Sequence, residues 1–410
     1  MKAYAEMLRL LCFVYTILGI TGLDILKSLS IKENGASLQR YIVDPRNGMV
    51  YLTATNELFV RYADLQPVVK LTLGPKNDSE LCPPDPAQPC TCEDASFEDC
   101  ETAEREPMNN INKALALDTS NNVLILCSNL YYGYCSKLML DDYTIDESYF
   151  MPVVLNSLVG NAILLISEGT DGHHLYVAAS RDIGSGLPSF KNEAHMLSRR
   201  NLEDFELSNI DVETGTASHL DVRSELRDHF PVHFEYGFTY NGYSYFIGVR
   251  PKSESNNETI SFLARLCNDD NKLRSYVEIT LKCGDHNRLV SAKLSKIGSM
   301  LAHDLDFNTN EDVVYANFVN TGNSFEISEN VEKSALCLYS MSEIEKQLKN
   351  IINVCFSGIG DTGPEYIVGP NKPCQQAQTG VSCHTMYCFS FNIVEIILHD
   401  IQLKVSDRLT

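Results

Sequence analysis

Cysteine is the residue type with the most chemistry to offer in this 410-residue chain. Of the 14 cysteines, Cys82, Cys90, Cys92 and Cys100 fall in one short acidic stretch; the others are Cys12, Cys127, Cys135, Cys267, Cys283, Cys337, Cys355, Cys374, Cys383 and Cys388. Thiolates at the spacing of the first group can close a tetrahedron around zinc, or they can pair as disulfides if the chain passes through an oxidising compartment. His229 and His233 stand four apart, but Pro231 between them favours extended chain over a helical metal-binding face. His173-His174 adjoins a turn, where at least one ring meets solvent. Gly358-Ile-Gly-Asp-Thr-Gly363 has the spacing of a dinucleotide loop. Such a loop follows a strand and opens a helix, whereas here a helical pattern precedes it and Pro364 follows. There is no HExxH, P-loop or GxSxG pattern. These residues assemble no catalytic set, so neither enzyme activity, a cofactor nor a metal is expected, and the thiols read as structural.

The N-terminus bears on the fate of those thiols. Lys2 and Arg9 precede an apolar run from Leu10 to Gly22, with Gly19, Thr21 and Gly22 ahead of Leu23-Asp24. This is the layout of a secretory signal peptide over residues 1–22. A membrane anchor is the competing reading, but the run falls short of the roughly 20 residues needed to span a bilayer. Cleavage would remove Cys12 and leave an odd number of thiols, and secretion favours disulfides over zinc at Cys82, Cys90, Cys92 and Cys100. Asn77-Asp-Ser79 and Asn257-Glu-Thr259 are glycosylation acceptors consistent with that route. The net charge of −21, with no Lys/Arg-rich block, argues against nucleic-acid and anionic-membrane partners. A composition 44% apolar and 21% charged excludes a disordered tail, a collagen-like rod and a polytopic membrane protein.

The elements that must position these residues are strands. From Leu38 to Ser340 the sequence is a succession of short β-type runs separated by turn residues, with helical periodicity nearly absent. Gln39 to Val43, Met49 to Thr53, Glu57 to Tyr62 and Pro67 to Leu73 make one antiparallel meander. The turn before its second strand, Asp44-Pro-Arg-Asn-Gly48, has counterparts in Asp118-Thr-Ser-Asn-Asn122, Thr170-Asp-Gly172, Tyr240-Asn-Gly242 and Asn308-Thr-Asn-Glu-Asp312. Four-stranded sheets restarting on a common turn signify a β-propeller, with a β-sandwich as the runner-up. Three segments depart from the pattern. One is the acidic loop between Lys76 and Arg105, which has no basic residue. Another is Ser342 to Asn353, where Ile344, Leu348 and Ile351 recur at helical spacing behind Ser342 as candidate cap. The last is the tail after Cys388, whose apolar run is too short to span a membrane.

Cys127-Ser-Asn-Leu-Tyr-Tyr-Gly-Tyr-Cys135, preceded by Asn112-Lys-Ala-Leu-Ala-Leu-Asp118, resembles a segment of plexin sema domains. Further matching landmarks follow in plexin order: Ser198-Arg-Arg-Asn-Leu202, Tyr236-Gly-Phe238, Tyr245-Phe246, Ala264-Arg-Leu-Cys267, Ser275-Tyr-Val-Glu278, Cys283, Ser334-Ala-Leu-Cys337, the helix ending at Cys355, and Pro373-Cys374. The resemblance covers Leu38 to Cys383. It implies an all-β, seven-bladed sema-type propeller over residues 23–383, with the last blades incomplete and a divergent tail over 384–410.

It also implies disulfides Cys127–Cys135, Cys267–Cys383, Cys283–Cys337 and Cys355–Cys374, with Cys82 paired to Cys90 or Cys92 and Cys100 to the remaining one. A plexin carries further strands, cysteine-rich modules, a transmembrane helix and a cytoplasmic region that this sequence lacks, which implies an open ring with unpaired strand edges. The function implied is that of a semaphorin receptor ectodomain, extracellular or on the outer face of the plasma membrane, with a semaphorin as partner and pairing between sema domains as a further mode. A secreted semaphorin-like ligand or a soluble decoy is the alternative. Ligand engagement at the edge of the middle blades would fall within Arg181 to Phe230, where Arg199, Arg200 and Arg223 are the candidate contacts and ordinary solvated surface is the competing reading.

Overall fold

A computed structural model describes residues 37–373 apart from short stretches, the longest of which are 88–103 and 182–193, and beyond them residues 394 and 395. The signal peptide and most of the tail expected from sequence lie outside the described residues.

The first sheet is a meander of β1 (Leu38–Val43), β2 (Val50–Ala54), β3 (Glu57–Arg61) and β4 (Pro67–Thr72), paired in chain order. A small hairpin of β5 (Lys76–Asp78) and β6 (Glu106–Met108) brackets the acidic loop. The second sheet comprises β7 (Asn112–Asp118), β8 (Val123–Ser128), β9 (Cys135–Met139) and β10 (Ile145–Asp146). The third has β11 (Ala162–Gly169), β12 (Gly172–Ala179) and β13 (Leu197–Asn201). A hairpin of β14 (Ile210–Asp211) and β15 (Thr216–Ala217) then intervenes, and β16 (His219–Leu220) completes the sheet. The fourth sheet has β17 (His233–Tyr240), β18 (Tyr243–Ser253), β19 (Asn256–Cys267) and β20 (Val277–Leu281), and the fifth has β21 (Arg288–Lys296), β22 (Asp312–Val319) and β23 (Ser334–Ser340). Three two-residue strands, β24 (Asp361–Thr362), β25 (Lys372–Pro373) and β26 (Val394–Glu395), extend the fourth sheet, with β26 parallel to β20.

The first strands β1, β7, β11, β17 and β21 lie against one another in succession, so the sheets radiate from a shared hub as the blades of a propeller do. The core is divided among the interfaces. Leu58 and Val60 pack on Leu124 and Leu126 between the first two sheets; Ile125 and Cys127 meet Leu175 and Val177 between the next two. Tyr176 and Ala178 meet Phe246 and Phe262 further round, and Leu263 and Ile279 meet Val314 and Phe318 at the last described interface. A strand inside such a stack is covered on both faces, which is why β8, Val-Leu-Ile-Leu-Cys-Ser, is buried at every position.

The five recurring turns all occupy the same place, between the first and second strands of a sheet. Each carries a residue with positive φ: Gly48, Asn122, Gly172, Asn241 with Gly242, and Asn310. That requirement explains the repeated Gly and Asn, because few other residues adopt this conformation cheaply. Arg46 of the first turn pairs with Asp44 and also reaches the next sheet, donating to the Thr119 carbonyl and to Asn122 Oδ1 at 2.9 Å each.

Among the described residues, two α-helices interrupt the strands: α1 (Ser299–Leu305) and α2 (Met341–Phe356). The sequence pattern missed α1, which at seven residues is too short to display a period. For α2 the expected span Ser342 to Asn353 lies inside the helix, but the cap is Ser340, whose Oγ accepts from the Glu343 amide at 3.2 Å. Ser342 instead donates to Glu311. The helix buries Ile344, Leu348 and Ile351. Glu345 anchors it to the fourth sheet, accepting from the Tyr245 hydroxyl and, at 2.9 Å, from Arg265.

A disulfide joins Cys127 to Cys135, which face each other across β8 and β9 with Cα atoms 4.0 Å apart. Another joins Cys283 to Cys337 and ties the segment after β20 to β23. Cys82, Cys267 and Cys355 are also disulfide-bonded. The partners expected for them, Cys90 or Cys92, Cys383 and Cys374, lie outside the described residues, as do Cys100 and Cys388.

Candidate functional site

The segment singled out for ligand engagement builds the outer edge of the third sheet. Because β13 is covered on both faces, alternation does not deliver its charges to solvent. Arg199 is 1% exposed and Arg200 4%. Arg199 Nη2 donates to both carboxylate oxygens of Asp171 at 2.8 Å. On the opposite face Arg200 donates to Ser198 Oγ at 3.0 Å and to the Phe205 carbonyl at 2.8 Å. Burial pulls the Arg200 guanidinium down to about 10. The reading of Arg199 and Arg200 as surface contacts is therefore corrected: they are internal ties of the sheet.

Arg223 is different. It follows β16, its amide donates to the Tyr366 carbonyl at 2.9 Å, and its side chain is 32% exposed. Its Nη2 meets Glu254 at 2.7 Å and its Nε lies 3.3 Å from Glu225. Glu254 sits in the turn between β18 and β19, so Arg223 crosses the outer seam from the third sheet to the fourth. Arg227 turns back to the Val222 carbonyl at 3.1 Å. The seam thus presents Arg223, Glu225 and Glu254 as an accessible charged edge on a fixed backbone.

Below that seam the structure brings together three residues that linear reading did not select. His195 precedes β13, His219 opens β16 and Asp221 follows it. The register Ser198↔His219 and Leu197↔Leu220 sets the two chain ends side by side, and the Met196 amide donates to Asp221 Oδ1 at 3.2 Å. His195 Nδ1 is 2.8 Å and His219 Nε2 3.5 Å from the same oxygen, Asp221 Oδ2. The rings stack with centroids 3.7 Å apart. Burial, reinforced by His195, lowers the His219 pKa to about 4 against the pull of Asp221. Burial works against ionisation of Asp221, but His195 and His219 outweigh it and hold the carboxyl below its ordinary range. No sequence signal marked this group, since the β14–β15 excursion separates its halves.

Elsewhere, the expected glycosylation acceptors Asn77 and Asn257 are both exposed on strands. His173 and His174 open β12, and His174 Nε2 lies 2.9 Å from Asp171. They border a cleft of about 620 Å³ between the second and third sheets, also lined by Asp118, Lys137 and Glu203. His233 lies on β17, and the Gly358 loop follows α2 with no helix N-terminus after it among the described residues. At the hub, Arg40 donates to Asn161 and Arg288 lies 3.7 Å from Glu235, whose carboxyl is pushed up by burial against the pull of Arg288.

No protein-family model matches the chain. Plexin-A4 of Danio rerio is 29% identical to it over 366 residues, 82% of this chain and 18% of that protein. Plexin-A2 of Mus musculus is 27% identical over 387 residues, 88% of this chain and 19% of that protein. The chain is similar to plexins. It spans about a fifth of the length of these relatives. The solved full extracellular region of plexin A4 superimposes with a TM-score of 0.71 at 23% identity, over 88% of this chain and 40% of that one. The fold is accordingly the sema-type β-propeller, with the plexin-like segment Cys127 to Cys135 at the β8–β9 connection of the second blade.

Proposed function

We propose that this chain is the recognition propeller of a plexin-like semaphorin receptor ectodomain, acting by binding a protein without catalysis. The observation that carries the reading is the plexin similarity, which runs through most of the chain at 27–29% identity and coincides with the radial array of sheets. At the hub, Arg40 is tied to the neutral Asn161 and Arg288 lies beside Glu235.

In this reading residues 1–22 are a signal peptide, 23–383 the propeller and 384–410 a divergent tail. The molecule works outside the cell or at its surface, with glycans at Asn77 and Asn257. Docking uses the seam between the third and fourth sheets, where Arg223, Glu225 and Glu254 are accessible on an ordered frame. An edge of this kind steers and orients a charged partner more than it supplies raw affinity.

The test is surface binding of the secreted full chain to a panel of semaphorin ectodomains, with Cys127→Ser as a control that disturbs the second blade. Saturable binding to at least one semaphorin, reduced in the control, is the expected result. Saturable binding to none would remove the receptor assignment.

A further inference from the structure

We propose that His195, His219 and Asp221 form a binding site for a divalent transition metal, Zn²⁺ in chemical class, on the outer edge of the third sheet. One ligand atom from each residue lies within 4.8 Å of the others. Two imidazoles and one carboxylate are a borderline N/O donor set, which suits zinc and is unlike the all-oxygen shell that calcium or magnesium requires. The three side chains are partly buried, so the site is shaped by protein yet open enough for water to complete a tetrahedron.

Asp221 Oδ2 already gathers both ring nitrogens, at 2.8 and 3.5 Å. His195 Nδ1 is hydrogen-bonded to that oxygen, so a proton lies between two of the three atoms that would meet the ion. Tetrahedral zinc at its usual bond lengths sets ligand atoms roughly 3.3 Å apart. Binding therefore asks the widest pair to close and the stacked rings to splay, movements of partly exposed side chains. Metal entry replaces that hydrogen bond, which requires His195 Nδ1 to be free of its proton. The frame is firm: Met196 N holds the second carboxylate oxygen, and the Asp221 carbonyl accepts from the Val368 amide at 2.7 Å. His219 Nδ1 is buried without a hydrogen-bond partner, so its ring is held by packing and by the Asp221 side alone.

The experiment is calorimetric titration of the full chain with Zn²⁺, followed by Co²⁺ absorption spectroscopy. One saturable equivalent is expected, with a tetrahedral Co²⁺ spectrum, and with affinity weakened at least tenfold in His219→Gln and in Asp221→Asn. Diethyl pyrocarbonate labelling of the unaltered chain provides a second readout that needs no variant: Zn²⁺ should protect His195 and His219. Absence of a saturable equivalent, affinity in both variants equal to that of the unaltered chain, or labelling of these rings unchanged by Zn²⁺ would each overturn the site. None of these readouts depends on semaphorin binding.

Discussion

Gly133 is the residue on which the plexin-like loop turns. Tyr131, Tyr132 and Gly133 all have positive φ, 49°, 61° and 87°. A Cβ on Gly133 would fall 1.7 Å from the Val154 carbonyl oxygen, whereas one on Gly242, also at positive φ, would meet nothing within 4 Å. Gly242→Ala should therefore cost only the local conformational term, about 1 kcal/mol. Gly133→Ala must also push apart two backbone segments, and should lower secreted yield and melting temperature far more; equal losses in the two variants would refute this account. His174 gives a pH prediction. Burial, then Arg199, holds its pKa below that of a free imidazole, with Asp171 opposing. As pH falls through about 6.5 the unfolded chain takes up this proton before the folded one does. The contribution of His174 to stability is thus full above that value and is lost as pH falls through its folded pKa. Denaturation midpoints should drop less between about pH 7 and about pH 5 in His174→Gln than in the unaltered chain. An NMR titration placing His174 at or above a free imidazole would contradict it.

Elements were legible where a period or a turn carried them, and illegible where two local signals competed. The strands of the first sheet agree with the sequence pattern to within about a residue at each end. The recurring turns were visible because a backbone conformation, positive φ, restricts which residues can serve. The cap of α2 was not decidable in this way. Ser340 with Glu343 and Ser342 with Glu345 both fit the Ser-x-x-Glu capping pattern, and the choice rests on a tertiary contact: Glu345 is claimed by Tyr245 and Arg265, whereas Glu311 accepts from both serines. Ser340→Ala should accordingly destabilise by about 1 kcal/mol, more than Ser342→Ala. Chemical denaturation of the two variants checks this, and the reverse order would reassign the cap. The sequence places Arg199 and Arg200 at the surface, against their observed burial, for a related reason. Charge in a strand suggests solvent, but the radial stack closes over both faces and Asp171 and the Phe205 carbonyl are present to receive the guanidinium groups.

At the scale of the whole molecule, the question is whether the seam between sheets is a structural tie, a docking edge or both. The tie at depth is evident. Buried Glu278 accepts from the hydroxyls of Tyr276 and Tyr366 and, on its other oxygen, from Arg250 at 2.8 and 3.0 Å. Segment 364–368 is thereby pinned against the fourth sheet while its backbone pairs with the edge of the third. Removing one member of such a set leaves the others buried and unsatisfied, a loss of roughly 3–5 kcal/mol, so Glu278→Ala should unfold the seam from within. Arg223 and Glu254 lie outside that node and are solvent-accessible, where an ion pair contributes about 0.2–1 kcal/mol. Reversing either charge should leave the melting temperature nearly unchanged, and under the proposed receptor function any large loss of semaphorin binding then belongs to the docking surface. The double swap Arg223→Glu with Glu254→Arg separates the two roles. It restores attraction across the seam while presenting the partner with an inverted pattern. If the edge docks the ligand, binding should remain about tenfold weaker in the double variant, chiefly through slower association that salt equalises between the proteins. Full recovery of affinity in the double swap would mean that the pair serves the propeller alone and that the partner binds elsewhere on the rim.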